Sequence, residues 1–189
     1  MVGFSKLLSV GDLRSDGFAN EVARIVCERP ELLPELIETL GSSNPSVRGH
    51  AADALEKVSR THPEPVASFL PAITRQARND EVAMVRWHLA MVLGHLAVVP
   101  ATVPTTRRTL LSLLHDTSPF VRSWAITSLC IIARTSARDA PAITRELAAL
   151  GSDDSAAVAK RARTAVRALT DPHFRLPPSW VKSERVRDL

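Results

Sequence analysis

Three histidines are the residues in this 189-residue chain that most suggest metal chemistry. His50 and His88 each lie three residues after a valine that starts a helical pattern (Val47 and Val85), and His95 lies two turns after His88. Imidazole nitrogens are common ligands of zinc and copper. However, no carboxylate or thiol repeats beside these histidines, and metal motifs have tighter local spacing. We therefore expect packing or capping histidines, with no metal and no cofactor.

The sequence also carries none of the short motifs that mark common catalytic sites. GxSxG, P-loop, HExxH and GxGxxG patterns are all absent. Cys27 and Cys130 are far apart and lie in no CxxC motif, which predicts reduced, mostly buried thiols. The first residues form no apolar export segment. Together these features predict a cytoplasmic protein that is not an enzyme.

One apolar stretch does need an explanation. The segment VRWHLAMVLGHLAVV, from Val85 to Val99, has almost no polar face. A membrane span needs about 20 mostly apolar residues, and this stretch is shorter and contains Arg86, so no membrane association is expected. A helix that is apolar all round is normally buried on every side or lies at a binding surface.

The composition indicates a single helical domain. Hydrophobic residues make up 45% of the chain and charged residues 23%, which is typical of a globular protein. Aromatic residues are only 4%, so the core must consist mainly of Leu, Val, Ile and Ala. The seven glycines are too few for the turns of an all-β fold. The net charge of +4 permits an anionic partner but does not require one.

A repeated pattern organises the chain. Four segments align on a valine, at Val47, Val85, Val121 and Val158, and successive valines are 36 to 38 residues apart. Counting from each valine as position 0, small or aliphatic residues recur at +4, +7, +8 and +11, the stripe of an amphipathic helix. A second apolar helix precedes each segment. Each of these preceding helices has a proline near its start, where a helix tolerates it: Pro34, Pro71, Pro104 and Pro141.

The segments Asp80–Leu89 and Asp116–Ala125 share the pattern D-x-x-x-x-V-R-x-x-A, with Leu89 in place of the final Ala in the first, and this pattern resembles the HEAT-repeat family. Ser42–Ala51 and Asp153–Ala162 match more loosely. A helix pair repeated about every 40 residues is typical of an α-solenoid. The resemblance implies an all-α, right-handed solenoid of about five antiparallel helix pairs, with the second helix of each pair on the concave face. The predicted pairs are roughly 4–30, 31–62, 64–99, 101–138 and 139–170, followed by a C-terminal capping tail, 171–189.

The predicted binding residues come from the helical period. If the stripe at 0, +4, +7, +8 and +11 faces the core, then +2, +5, +6 and +9 face away from it. In the two central repeats these positions, with Trp124 at their edge, are apolar, and in the last repeat they are basic. Large apolar groups exposed together mark interaction sites. The predicted partner-binding residues are therefore Trp87, Met91, Trp124, Ile126, Lys160, Arg163 and Arg167. Burial of the apolar members by the chain itself is an equally weighted alternative.

A second set of charged residues has a structural interpretation. Arg48, Arg86 and Arg122 each follow an anchor valine. The HEAT resemblance implies that such arginines pair with aspartates of the same or the next repeat and form a ladder. Asp80 and Asp116 are the available partners.

The tail leaves the repeat pattern at Asp171. Prolines interrupt it, and Phe174, Leu176 and Trp180 are spaced like apolar anchors. We expect the tail to cover the end of the last helix pair and to leave Trp87 open.

The sequence thus predicts a non-catalytic protein-interaction scaffold whose concave face binds an apolar partner segment carrying acidic groups. Nucleic-acid binding is the main alternative. At its extreme, some HEAT-like solenoids resemble DNA glycosylases with a Trp-lined, cationic cleft, but these need a nearby aspartate, and Asp53 is the only candidate. Self-association through the apolar face is a third reading.

Overall fold

The computed structural model describes residues 3–187, which fold into α-helices joined by short turns and 3-10 segments. Within this range the α-helices are α1 (Phe4–Leu8), α2 (Ala19–Glu28), α3 (Leu33–Thr39), α4 (Pro45–Ser59), α5 (Pro63–Ala67), α6 (Leu70–Asn79), α7 (Ala83–His95), α8 (Val103–Leu113), α9 (Pro119–Thr135), α10 (Ala140–Ala149) and α11 (Ala156–Thr170). The described residues contain no β-strand, and the chain is an all-α solenoid, as predicted.

The helices form two rows. The inner row consists of α2, α4, α7, α9 and α11, each packed against the next. The outer row contains α3, α6, α8 and α10, each packed on the inner helix that follows it in the sequence. The predicted prolines, Pro34, Pro71, Pro104 and Pro141, all lie in the first turn of an outer helix, where the missing amide proton removes no hydrogen bond.

The position of α7 explains its composition. It packs between α4 and α9 in the inner row and also contacts α6 and α8 of the outer row. Most of its side chains are consequently buried, including Leu89, Val92 and Leu93. A helix with neighbours on so many sides needs almost no polar face.

Inner helices α7 and α9 approach each other closely at Gly94. A Cβ atom added to Gly94 would lie 2.5 Å from Ser128 Oγ and 3.1 Å from the Ser128 Cα atom. Ser128 Oγ also donates a hydrogen bond to the Ala90 carbonyl oxygen at 2.7 Å. The absence of a side chain at Gly94 therefore sets the spacing of these two helices.

Two of the predicted binding residues are buried between neighbouring inner helices. Ile126, at +5 of its repeat, has 0% of its surface exposed, and so have Ala52 and Ala90 at the same position. Met91, at +6, is 7% exposed. The prediction that Ile126 and Met91 are exposed anchors was wrong, because a side chain that faces away from its own repeat here faces the next one.

Buried ion pairs connect successive repeats in a ladder. Arg48 Nε donates to Asp80 at 2.8 Å, Arg86 Nε to Asp116 at 2.7 Å, and Arg122 Nη2 to Asp153 at 2.7 Å. Each arginine also donates to a carbonyl oxygen of its own turn, so one guanidinium joins two turns. Each aspartate in addition accepts the backbone amide two residues later. Sequence analysis named the first two aspartates and missed Asp153.

No helix within residues 3–187 is both long enough and apolar enough to cross a membrane. Both cysteines are free thiols, Cys130 buried and Cys27 half-buried. Burial raises the pKa of the Cys130 thiol to about 12, so this thiol is not an available nucleophile.

Candidate protein-binding surface

An aromatic pair lies at the N-terminal ends of the inner helices. Trp87, on α7, is half-buried, and Phe120, in the first turn of α9, is 65% exposed. Their ring centroids are 5.3 Å apart, with the rings tilted by 40°. Trp87 also contacts the imidazole of His88, at 5.5 Å between centroids. We call Trp87 and Phe120 the aromatic pair. Sequence analysis missed Phe120, which lies one residue before an anchor valine, at a position that the helical stripe does not mark.

Trp87 lies in a row of equivalent positions that crosses the inner helices, and Phe120 contacts it from outside this row. Position +2 is occupied by Gly49 on α4, Trp87 on α7, Ser123 on α9 and Lys160 on α11. Exposure increases along this row, from buried Gly49 to half-buried Trp87 and Ser123 and then to exposed Lys160. The +2 row therefore combines an apolar centre with a cation at its C-terminal end.

The predicted basic residues of α11 do not share one surface. Arg163, at +5, donates to the Gly151 carbonyl oxygen at 2.5 Å and so faces the end of the solenoid, where no further repeat packs in this structure. Arg167 lies with its guanidinium carbon 4.6 Å from the ring centre of Phe174 in the tail, and 3.7 Å from the Asp171 carboxylate. Of the three predicted cations, Lys160 alone shares the +2 row with Trp87.

Arg161, on α11, contacts both the neighbouring inner helix α9 and the tail. Its guanidinium carbon lies 5.0 Å from the ring centre of Trp124 on α9 and 5.0 Å from that of Trp180 in the tail. It also donates a hydrogen bond to Thr127 Oγ1 at 2.9 Å. Burial lowers the pKa of Arg161, although the group remains a cation. Sequence analysis did not single out this residue. The pattern that would have found it is the +3 position that it shares with His50, His88 and Trp124.

The tail, residues 171–187, extends well beyond the last helix pair. After α11, the Phe174 carbonyl oxygen lies 3.5 Å from Arg134 at the end of α9. Farther on, Ser183 Oγ donates to the Arg60 carbonyl oxygen, at the C-terminus of α4, at 2.5 Å, and Arg185 pairs with Glu64 at 2.7 Å. The expectation that the tail covers only the final pair was incomplete, because the tail runs from α11, where Trp180 meets Arg161, back to the C-terminus of α4.

A cleft of about 560 Å³ opens between the tail and α9. Arg134 of α9 lines it together with residues of the tail, among them the apolar Phe174 and Leu176. Arg175, Arg187 and His173 also face it. The lining residues include no carboxylate, so the cleft has a basic character.

Polar side chains are buried between α4 and α7. Ser59 Oγ lies 2.8 Å from His95 Nδ1, and His95 Nε2 lies 3.8 Å from Glu56 Oε1. Burial lowers the pKa of His95 to about 3 and raises that of Glu56, whose carboxylate also pairs with Arg60. Although the residue types match a hydrolase triad, all three side chains are buried, so a substrate has no access to them.

Asp53, the carboxylate that a glycosylase-like site would require, is also engaged. It pairs with Lys57 and lies 3.4 Å from Nε2 of His88, and its side chain is 9% exposed. Burial lowers the pKa of His88 to about 4. Asp53 therefore pairs with neighbouring side chains and does not face an open cleft.

The three histidines of the sequence analysis are held apart. His50 lies within hydrogen-bond distance of the carbonyl oxygens of Leu8, Asp12 and Ser15, and so fastens the 9–18 loop to α4. His88 and His95 contact groups of α4 and α7. Within residues 3–187, no group of three or more His, Cys, Asp or Glu side chains could hold a metal ion.

Comparisons with known proteins agree with this description of the fold. Residues 107–136, which cover most of α8 and all of α9, match the model of the HEAT repeat. No curated protein sequence matches the chain. The chain is thus an all-α solenoid, and it contains a HEAT repeat that includes most of its fourth helix pair.

Solved structures of engineered repeat proteins are similar to it. An engineered protein superposes with a TM-score of 0.61 at 20% identity, covering 88% of this chain and 78% of that one. A designed armadillo repeat protein gives a TM-score of 0.58 at 18% identity over 88% and 80% of the two chains. Another, solved in complex with the peptide (KR)4, gives 0.60 at 18% identity with the same coverage. At these identities the likeness shows the fold alone.

Proposed function

We propose that this protein is a non-catalytic scaffold that binds a short segment of a partner protein along the +2 row, with the aromatic pair as the apolar anchor. The observation that carries the proposal is the exposure of Phe120 next to Trp87. Exposed aromatic side chains that touch each other are unusual on a protein surface and are enriched where proteins bind one another. The fold supports the proposal, since a designed armadillo neighbour was solved with a bound peptide.

The row suggests the length of the partner segment. Adjacent packed helices are about 8 to 10 Å apart, so Trp87 on α7 and Lys160 on α11 are separated by two steps, or about 16 to 20 Å. An extended chain covers about 3.3 Å per residue, so about five or six residues would span that distance.

The charge of Lys160 suggests the chemistry of the partner segment. Lys160 is exposed and forms no ion pair with any residue in the 3–187 range. It lies at the opposite end of the row from Gly49. A partner segment with an aromatic or aliphatic residue at one end and an acidic residue five or six positions away would therefore match the row.

A library of displayed random heptapeptides, selected on the wild-type protein, tests the proposal. Enriched sequences are expected to contain a large apolar residue and, separated from it by most of the peptide, an Asp or Glu. Phe120→Ser should weaken binding of an enriched peptide, measured by fluorescence anisotropy, by at least about tenfold, as for an interface hot spot. Because Phe120 is largely exposed, this substitution should leave the melting temperature unchanged.

Phe18→Ser is the matched control, since Phe18 is 42% exposed but lies at the start of α2. It should bind the same peptide as the wild type does. Equal binding by the Phe120→Ser variant would refute the proposal. Binding of a labelled DNA duplex that weakens steeply with salt would instead favour the nucleic-acid alternative.

A further inference from the structure

The tail contacts the solenoid in the way that a bound peptide contacts its receptor. Residues 178–180 and 184–186 form only short 3-10 turns, and their backbone amides bond within the tail, as Trp180 N does to the Pro177 carbonyl oxygen. Within the described residues, the hydrogen bonds from this part of the tail to the helices come from side chains. The helices beneath this part of the tail therefore form their own backbone hydrogen bonds without the tail backbone.

The first recognition element is a stacking site for an aromatic ring. The guanidinium carbon of Arg161 lies 5.0 Å from the ring centre of Trp124 and 5.0 Å from that of Trp180, and Arg161 donates a hydrogen bond to the Thr127 hydroxyl. Only Trp180 comes from the tail, and it is 7% exposed. A fixed guanidinium plane is a favourable surface for an indole ring.

The second recognition element binds a hydroxyl group and a cation. The carbonyl oxygen of Arg60 lies at the C-terminus of α4, where helix carbonyls lack intrahelical partners, and Ser183 Oγ donates to it. Glu64, in the first turn of α5, pairs with Arg185. The side chains of Val181, Ser183 and Val186 are buried, whereas Lys182 and Glu184 between them are exposed. The surface thus distinguishes particular positions of the segment.

We propose that this surface, beneath residues 180–186, is a second binding site that accepts a protein segment in trans. The segment would have the pattern of the tail: an aromatic residue, an aliphatic residue directly after it, a hydroxyl residue three positions after the aromatic residue, and an arginine two positions farther on. This inference goes beyond the proposed function, because it concerns the contacts of tail residues 180–186 with Arg161, Arg60 and Glu64, none of which lies in the +2 row. The tail is the resident occupant, and a partner segment competes with it.

Tethering explains why the site is closed in the isolated chain. A short tether gives a segment an effective concentration of the order of millimolar. A free segment with the same contacts and a dissociation constant in the micromolar range would then be outcompeted by about a hundredfold or more. Weakening the tail should open the site.

The test uses the full chain with Trp180→Ala and a fluorescent peptide of residues 176–187, LPPSWVKSERVR. Fluorescence anisotropy should show saturable binding to the Trp180→Ala protein and binding at least about tenfold weaker to the wild type, whose own tail occupies the site. Adding Arg161→Ala to the Trp180→Ala chain should weaken binding by about tenfold or more, because the stacking surface is lost. Arg163→Ala in the same background is the matched control, since Arg163 lies on the same helix but faces Gly151, and it should change nothing.

Two outcomes would overturn the inference. One is a folded Trp180→Ala protein that does not bind the peptide, and the other is equal binding by this protein and the wild type, which would place the peptide elsewhere. If the Trp180→Ala protein does not fold, Ser183→Ala with Arg185→Glu loosens the far end of the tail and carries the same expectations. A concentration-dependent dimer that the peptide dissociates would support the inference, because the exchanged tail would then be bound in trans. Phe120→Ser should leave these results unchanged, so the two proposals can fail separately.

Discussion

The close approach of α7 and α9 makes Gly94→Ala a demanding test of the packing. In an exposed helix, replacing Gly by Ala would stabilise by about 1 kcal/mol. Here the new methyl group would lie 2.5 Å from Ser128 Oγ and 2.8 Å from Ser128 Cβ. Ser128 cannot move freely, because its hydroxyl bonds to the Ala90 carbonyl oxygen. The 3.1 Å distance to the Ser128 Cα atom means that backbone must also shift.

The expected cost follows from these contacts. Overpacking a core costs about 1 to 3 kcal/mol, and loss of the buried hydrogen bond adds about 1 to 3 kcal/mol. After subtracting the gain in helix propensity of about 1 kcal/mol, we expect Gly94→Ala to lower the free energy of unfolding by about 1 to 5 kcal/mol, with a midpoint of about 3 kcal/mol. For a chain of this length the midpoint corresponds to a fall in melting temperature of roughly 6 to 12 °C.

Urea denaturation followed by circular dichroism measures this change. Gly151→Ala is the control, because its Cβ would meet only Arg163 Cγ at an ordinary 3.7 Å, and its effect should stay within about 0.5 kcal/mol. Adding Ser128→Gly removes the closest contacts, so the two substitutions should couple favourably by about 1 to 2 kcal/mol in a double-mutant cycle. A Gly94→Ala protein as stable as the wild type would refute the reasoning, since α7 and α9 could then separate without cost.

Two further predictions concern buried charges. Because burial lowers the pKa of His88 to about 4, while an exposed histidine titrates near 6.5, the unfolded chain binds a proton in this window that the folded chain excludes. The free energy of unfolding therefore falls as the pH decreases from about 6.5 towards 4, and the part due to His88 is about 2 kcal/mol at pH 5. His88→Gln should remove this part from the pH dependence of the free energy of unfolding, measured by urea denaturation. Parallel pH profiles of the variant and the wild type would contradict this. Asp116→Ala should lower the free energy of unfolding by about 2 to 4 kcal/mol, because it leaves the buried Arg86 guanidinium and the Ser118 amide without their acceptor. Asp154→Ala is the control for the ladder, since that side chain is 89% exposed and should matter by less than about 0.5 kcal/mol, and equal effects of the two substitutions would argue against the ladder.

The fold could be predicted because the signals that define it are local. The stripe at +4, +7, +8 and +11 packs each inner helix on its own repeat, so the period of a single helix reveals it. The prolines at the starts of the outer helices are equally local. The third pair in the ladder could also have been found, because Asp153 lies five residues before its anchor valine, as Asp80 and Asp116 do.

The binding surface was harder to predict because it depends on neighbours. A helical wheel of one repeat assigns +5 and +6 to the outside, yet Ile126 and Met91 are covered by adjacent inner helices. Comparison across repeats contains the missing information, since +5 is Ala52, Ala90 and Ile126 before it becomes Arg163. The path of the tail has no such signal, because an irregular, proline-rich segment has no period from which its contacts could be read.

The replacement of a small or aliphatic residue by Arg163 at +5 of the last repeat has a consequence for engineering. Arg163 folds back to the Gly151 carbonyl oxygen, and its aliphatic stem covers a shallow hollow lined by Ala148 and Val166. A helix pair grafted onto α11 would have to strip water from this guanidinium, so lengthening the array should begin with Arg163→Ala, which restores the small residue found at Ala52 and Ala90.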